Sequence, residues 1–322
     1  MAERRLIMKY DLMLFDMDGV MTGELCYWEA AALTVWEFLY QEDIPSILAR
    51  KQEIFNTVFC NRETIQYTKR AGVNCNHDLA YVVAALARKF FGEDRPFEAV
   101  REWLKQSDQS ARELYAYCEE LWGTDWKHQG RIWTELHAMF QSWYLGDGNK
   151  KTGLIKEEQP LFEPNRLAEL LSALNDAGVV CGIGTGRPRE EIVPHLERWK
   201  LIHYFHPQRI ITQTEVTEAQ AWVDENHLNL CLSKPHFFIF GKGVAGLSAS
   251  CEDVLNRQFD PNLLKKTLVV GDAGADIFAA KNLGADFAAV LTGVTGKAER
   301  SFFEQCNAEY IFDDVFGIKH LL

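Results

Sequence analysis

Two aspartates stand one residue apart in LMLFDMDGVMTG, residues 12–23, where an apolar run ends at Asp16 and Asp18 and Gly19 follow. Residues of matching chemistry lie far along the chain: Thr185 in GIGTGRPRE, Lys234 in LSKPHFF, and Asp272 and Asp276 in VVGDAGADIF. Carboxylates gathered beside one lysine would repel each other and any phosphate, unless a hard cation sat among them. Mg2+ takes near-octahedral oxygen ligands, commonly one or two carboxylates plus substrate phosphate. A phosphoryl group could then lie between the cation and Lys234, which together neutralise its oxygens. Asp16, held at a rigid strand end, suits in-line attack on phosphorus. Asp18, two residues on in a turn, could protonate the leaving oxygen and later activate water. Gly19 lets the backbone turn tightly beside them. Thr185 offers a hydroxyl, and the backbone at Gly186 an amide, to phosphoryl oxygens. Arg187 reads equally as a contact to substrate phosphate or carboxylate and as a surface salt bridge.

These residues need elements that bring them together. KYDLMLFD is a short apolar run stopped by acidic residues and a glycine, which fits a buried strand. From about residue 24 to 145 the texture is helical, with helices expected over 28–41, 44–58, 76–91, 96–104, 107–121 and 130–145. Pro45 and the Asn76–Asp78 segment supply start signals. Tryptophans at helical spacing in this block, Trp28 among them, read mainly as core. Trp28 and Glu24, so close behind the first aspartates, are also candidates to line a pocket. GDGNKKTGLIKEEQP, residues 146–160, is a connector.

Beyond it strands and helices alternate. Helices are expected over 164–177, 188–198, 215–225, 236–257 with a break, and 274–283; strands over 179–184, 209–212, 267–271, 287–291 and 310–312. Pro235 is expected to set the first turn of the helix that Lys234 opens. Such alternation predicts an α/β fold, a doubly wound, mostly parallel sheet covered by helices. The first strand precedes the helical block, so that block is an insertion: residues 1–21 and 156–322 form the sheet domain and 22–155 an all-helical one. Loops at the carboxyl ends of neighbouring strands converge on one crevice in such a sheet.

Bulk properties narrow the partners. The net charge of −12, with no basic stripe to offset it, argues against nucleic acid and leaves a divalent cation welcome. No stretch approaches the roughly 18 apolar residues of a membrane helix, and MAERRLIMKYD lacks the apolar core of an export signal. Eight scattered cysteines without a CxxC pair read as reduced, mostly buried thiols in a cytoplasmic chain. Asn74, Cys75, Asn76 and His77 find no partner Cys/His pair at zinc spacing. GVTGKAE, residues 293–299, lacks the Walker spacing, and no GxGxxG follows the first strand. Nothing in the sequence speaks to oligomeric state.

LFDMDGV, residues 14–20, resembles the first motif of the haloacid dehalogenase-like (HAD) hydrolase superfamily, apolar residues followed by DxDG(T/V). GTGRP at 184–188 resembles its second motif, SKP at 233–235 its third and GDAGAD at 271–276 its fourth, in the expected order. The likeness extends over the non-inserted part, including LGADFAAVLTG at 283–293, and is nearest a phosphoglycolate-phosphatase-like branch with a helical cap after the first motif. It implies that Asp16 is nucleophile and metal ligand, and that Asp18 is acid/base with its backbone carbonyl on the metal. Thr185, Gly186 and Lys234 would bind the phosphoryl group. Asp272 would ligate Mg2+ directly, and Asp276 would be a ligand or a partner of metal-bound water. The expected activity is a Mg2+-dependent phosphatase acting on a small soluble monoester through an aspartyl-phosphate. A phosphomutase on a phosphorylated sugar and a non-enzymatic binding protein on the same fold are the alternatives. Dehalogenation would leave Asp18, Asp272 and Asp276 unexplained, and phosphonate-cleaving relatives lack the second aspartate. The chain departs from small-ester relatives at Met21–Glu24, where a leucine and an Asp-Ser or Asp-Thr pair are common, and its insert is larger than the usual helical cap.

Overall fold

The computed structural model describes residues 9–73, 75–127 and 129–322. Residues 1–8, scanned above for an export signal, and Asn74 lie outside the described residues. The chain divides into two compact units: one runs to Gly23 and resumes at Gln159–Leu322, and the other is Glu24–Glu158.

The first unit is built on six strands: β1 (Leu12–Phe15), β2 (Val180–Gly184), β3 (Phe205–Ile211), β4 (Thr267–Gly271), β5 (Asp286–Val290) and β6 (Tyr310–Phe312). They form one sheet in the order β3-β2-β1-β4-β5-β6, every neighbouring pair parallel. Because strand side chains alternate, β1 serves two cores. Met13 and Phe15 pack with Cys181, Ile183, Leu268 and Val270 beneath the helices Pro164–Asp176 and Arg189–Arg198. Leu12 and Leu14 pack with Ile211, Val269 and Phe287 against the helices Gln213–Glu225, Phe238–Ala245 and Gly274–Leu283. All four β1 residues are buried, as a strand covered on both faces requires. The fold is therefore a doubly wound α/β sheet carrying an inserted helical region. Strand order reverses between β1 and β4, the switch point beside which ligands bind in such sheets.

The second unit is helical among its described residues, with helices Leu25–Tyr40, Ile44–Ala49, Lys51–Phe59, Glu63–Arg70, Asn76–Lys89, Pro96–Gln106, Ala111–Trp122 and Arg131–Leu145. Trp28, Trp126 and Trp143 are buried, and Tyr27 stacks on Tyr144 with ring centroids 4.2 Å apart. The helix expected over 44–58 is two, broken at Arg50. Glu63–Arg70 was not expected as a helix: its polar run ETIQYTKR buries threonines instead of an apolar stripe, with Thr68 Oγ1 donating to the Thr64 and Ile65 carbonyls.

Other differences concern the sheet unit. The 236–257 segment gives Phe238–Ala245 and Cys251–Leu255 separated at Gly246, and the short helices Pro261–Lys265 and Arg300–Gln305 were unforeseen. Pro235 does not set a helical turn. The Lys234–Pro235 bond is cis and lies in a turn closed by His236 N–H donating to Ser233 O, ahead of the helix that begins at Phe238. All eight cysteines are unpaired; Cys26, Cys60, Cys118 and Cys181 are buried, while Cys75 and Cys231 are exposed. Among the described residues no helix is long and apolar enough to cross a membrane.

Candidate active site

Asp16 follows β1 directly, and its N–H donates to Val270 O of β4 at 2.8 Å, so the ladder fixes its backbone. The chain then turns sharply: Met21 and Thr22 N–H both donate to Met17 O at 2.8 Å. Gly19 sits in this turn with φ +72°, in the left-handed region that a side chain disfavours. Space imposes the same choice, since a Cβ on Gly19 would lie 2.2 Å from Asp272 Oδ2. Asp272 follows β4, the strand beside β1, which explains its approach. Its helix-borne companion Asp276 is buried at the start of Gly274–Leu283 and accepts from Ala273 N–H at 3.2 Å through Oδ2. Asp276 Oδ1 takes Lys234 Nζ at 2.7 Å, and the same ammonium reaches Asp16 Oδ1 at 3.0 Å.

Asp16, Asp272 and Asp276 thus bring one carboxylate oxygen each to within 4.8 Å of one another. Lys234 supplies one positive charge toward this group. Burial pushes the Asp16 carboxyl up to about 7; the Lys234 charge opposes the rise, and repulsion from Asp276 and Asp18 adds to it. Burial works against the Lys234 ammonium too, but the Asp16 and Asp276 charges outweigh it and hold its pKa above the ordinary lysine value. Like charges crowded in this way, all oxygen donors, suit a hard divalent cation. The residues present therefore fit Mg2+.

Thr185 and Gly186 follow β2, with Thr185 N–H donating to Ile211 O of β3 at 3.1 Å. Thr185 is buried and its Oγ1 accepts from Arg187 N–H at 3.2 Å, which leaves the hydroxyl proton to be offered outward; Gly186 is exposed. The Asp18 side chain is not one of these three carboxylates, and the metal contact expected of Asp18 is through its backbone carbonyl. Its Oδ1 accepts from Thr22 Oγ1 at 2.8 Å and from Arg187 Nε at 2.8 Å, and Arg187 Nη2 binds the same oxygen. Arg187 is only 2% exposed in its side chain, so the surface ion pair weighed from the sequence is instead a buried one within the site. Glu24 pairs with Lys69 at 2.9 Å inside the helical unit, and Trp28 is part of that unit's core.

Two contributors were missed. Gly293 follows β5, and a Cβ there would lie 2.1 Å from Asp272 Oδ2. Thr292 beside it donates its hydroxyl to Gly19 O. The available signal was position: LTG stands at the carboxyl end of a strand, the edge on which the other site residues fall.

Residues 232–317 match a family model described as HAD-hydrolase-like, a span that includes Lys234, Asp272, Asp276 and Gly293. The chain is similar to a crystal structure solved as a target of the Northeast Structural Genomics Consortium, at 24% identity and a TM-score of 0.75 over 97% of this chain and 98% of that one. A haloacid dehalogenase-like family hydrolase from Streptococcus pneumoniae aligns at 13% identity and a TM-score of 0.49 over 97% and 98% of the two chains. A conserved haloacid dehalogenase-like protein of unknown function from Agrobacterium tumefaciens str. C58 does so at 12% identity and 0.48 over 97% of each. These likenesses bear on the fold alone, and the last two add no weight to it. No curated protein matches the sequence. Within the sheet unit, residues 232–317 are thus similar to HAD-like hydrolases.

Proposed function

We propose that this chain is a Mg2+-dependent phosphatase that moves the phosphoryl group of a small soluble monoester onto Asp16 and then hydrolyses the aspartyl-phosphate. The observation that supports it most is the placement of Asp16: a buried carboxylate at a strand end, 3.0 Å from Lys234 Nζ and grouped with Asp272 and Asp276. That is a nucleophile held rigidly beside a cation able to receive phosphoryl oxygens.

In this reading Asp16, Asp272 and Asp276 hold the metal. A bound Mg2+ would neutralise phosphoryl oxygens and draw Asp16 back to its charged form. The chain's own groups do the rest. Lys234 and the Thr185 hydroxyl bind phosphoryl oxygens, and the exposed Gly186 backbone admits a third contact. An Asp16 oxygen attacks phosphorus as the ester P–O bond breaks, and the leaving oxygen takes a proton from Asp18. Water then attacks the acyl phosphate, giving its proton to Asp18 as the bond to Asp16 breaks.

The test is hydrolysis of p-nitrophenyl phosphate, followed by a panel of phosphorylated sugars, phosphoglycolate and nucleotides, with and without Mg2+. Asp16→Asn is expected to lower turnover about a thousandfold or more, as loss of a nucleophile does. Acid quenching should retain a phosphoryl label on the wild-type chain and none on the variant. Unchanged turnover in Asp16→Asn would refute the nucleophile assignment.

A further inference from the structure

We infer that Arg187 is a positioning residue for Asp18: it holds that carboxylate for proton transfer and does not bind the phosphoryl group. The chemistry of this inference rests on the phosphatase reading above; the placement rests on geometry. A guanidinium is costly to bury unless it is paired, and Arg187 is 2% exposed against 25% for Asp18. Two of its nitrogens grip that carboxylate: Nε reaches Oδ1 at 2.8 Å and Oδ2 at 3.0 Å, and Nη2 reaches Oδ1. A planar fork fixes the plane of the carboxylate it grips, which a point charge does not.

The arginine is itself held at both ends. Nη2 also donates to Gly23 O at 3.0 Å, and the Arg187 backbone is tied by its N–H to Thr185 Oγ1 at 3.2 Å and by its carbonyl to Gln213 N–H at 2.9 Å. Thr22 Oγ1 joins the two guanidinium nitrogens on Oδ1 at 2.8 Å. Oδ1 is therefore the anchored oxygen. Oδ2, met by Nε at the longer 3.0 Å, is the oxygen we assign to proton transfer. The cation toward the nucleophile is a different one, Lys234, at 3.0 Å from Asp16. Two positive side chains thus have separate duties, one on each aspartate of the first motif.

The two duties separate by leaving group. A nitrophenolate departs without a proton, so phosphorylation of Asp16 by p-nitrophenyl phosphate needs little from Asp18, whereas the departing oxygen of glycerol 1-phosphate needs the Oδ2 proton. Hydrolysis of the acyl phosphate returns a water proton to Oδ2 in both cases.

The experiment compares wild type, Arg187→Met, Arg187→Lys, Asp18→Asn and the Arg187→Met/Asp18→Asn double variant on both esters with Mg2+. A positioning role predicts that Arg187→Met lowers kcat on glycerol 1-phosphate about 100-fold or more, with KM and inhibition by inorganic phosphate little changed. On p-nitrophenyl phosphate, rapid mixing should show a stoichiometric burst followed by slow turnover. The double variant should be no slower than the slower single one, because both remove the same function. Arg187→Lys keeps the charge without the fork and should recover only part of the loss; it also serves if the methionine variant does not fold. A rise in KM and in the inhibition constant of phosphate with kcat retained would overturn the inference, as would losses that multiply in the double variant. A wild-type chain that turns over no ester defeats the phosphatase reading and this inference together. A wild-type chain that is active, with variants showing only the KM effect, defeats this inference alone.

Discussion

In the helical unit Asp78 is buried yet accepts from Trp133 Nε1 at 2.7 Å and Tyr115 Oη at 2.9 Å, Glu158 accepts from Tyr144 Oη at 2.8 Å, and Glu29 is met by Lys51 at 3.0 Å. In the sheet unit Asp16, Asp272 and Asp276 lie within 4.8 Å of each other, and Lys234 is shared between two of them. Both regions bury acids; they differ in what neutralises them. Neutral donors, or for Glu29 a lysine that it shares with the exposed Glu157, satisfy the first set, so its acids fix the packing of helices. In the second set burial raises the Asp16 pKa, like-charge repulsion from Asp276 and Asp18 adds to it, and the crowded carboxylates suit a cation. A buried carboxylate is thus no sign of a site by itself. Several of them crowded on a single lysine are.

The comparison can be broken by disturbing each set. Gly293→Ala puts a methyl where Asp272 Oδ2 now lies, 2.1 Å away, and should weaken Mg2+ binding about 10- to 100-fold, as loss of ligand support commonly does. The readout is the Mg2+ concentration needed to raise the melting temperature. A variant that responds to Mg2+ like wild type would mean that Asp272 is not a ligand. In the helical unit, Trp133→Phe removes one donor from Asp78 and should cost about 1–2 kcal/mol of stability in urea unfolding. It should leave the Mg2+ response unchanged. An altered Mg2+ response would show that the two sets of acids are coupled.

The smallest expected effect is one of sign. In metal-free protein the folded state holds the Asp16 proton up to about 7, against 3.8 for the ordinary carboxyl. Its contribution to stability is therefore full below 3.8 and is lost as pH rises through about 7. His77 runs the other way: burial, with the neighbouring His137 stacked 4.2 Å away, holds it down to about 3. Its contribution is full above the ordinary 6.5 and is lost as pH falls toward 3. Asp16→Asn should remove the first slope and His77→Gln the second, measured by urea unfolding across that range. Slopes of the same sign in both difference curves would contradict this contrast.

Much of this architecture could be read from residue order. Short apolar runs ending in Asp16, Thr185 and Asp272 are strands whose ends face one edge, because parallel strands all finish on the same side. Gathering at that edge follows from topology without knowledge of any contact. What escaped the sequence was steric or reciprocal. Gly293 matters for the side chain it lacks, and GVTGKAE drew notice only as a failed nucleotide loop. Arg187 has a typical surface composition around it, RPRE, and only the turn at Met17–Thr22 shows that its guanidinium ends on Asp18. Glu63–Arg70 escaped because the face it buries is Thr64, Ile65 and Thr68, where no apolar period exists to count.

The turn after β1 has one more consequence. Thr22 bridges to Pro160, and Leu161 N–H donates to Met21 O at 2.8 Å, so the outgoing and returning chains run side by side at the sheet edge. The helix Pro164–Asp176 alone then carries the chain on to β2, completing the crossover that two parallel neighbours require. A graft or deletion spanning only a hydrogen bond's width can therefore swap the intervening helices for others without changing which strand sits next to which, and in that sense evolution has a socket here.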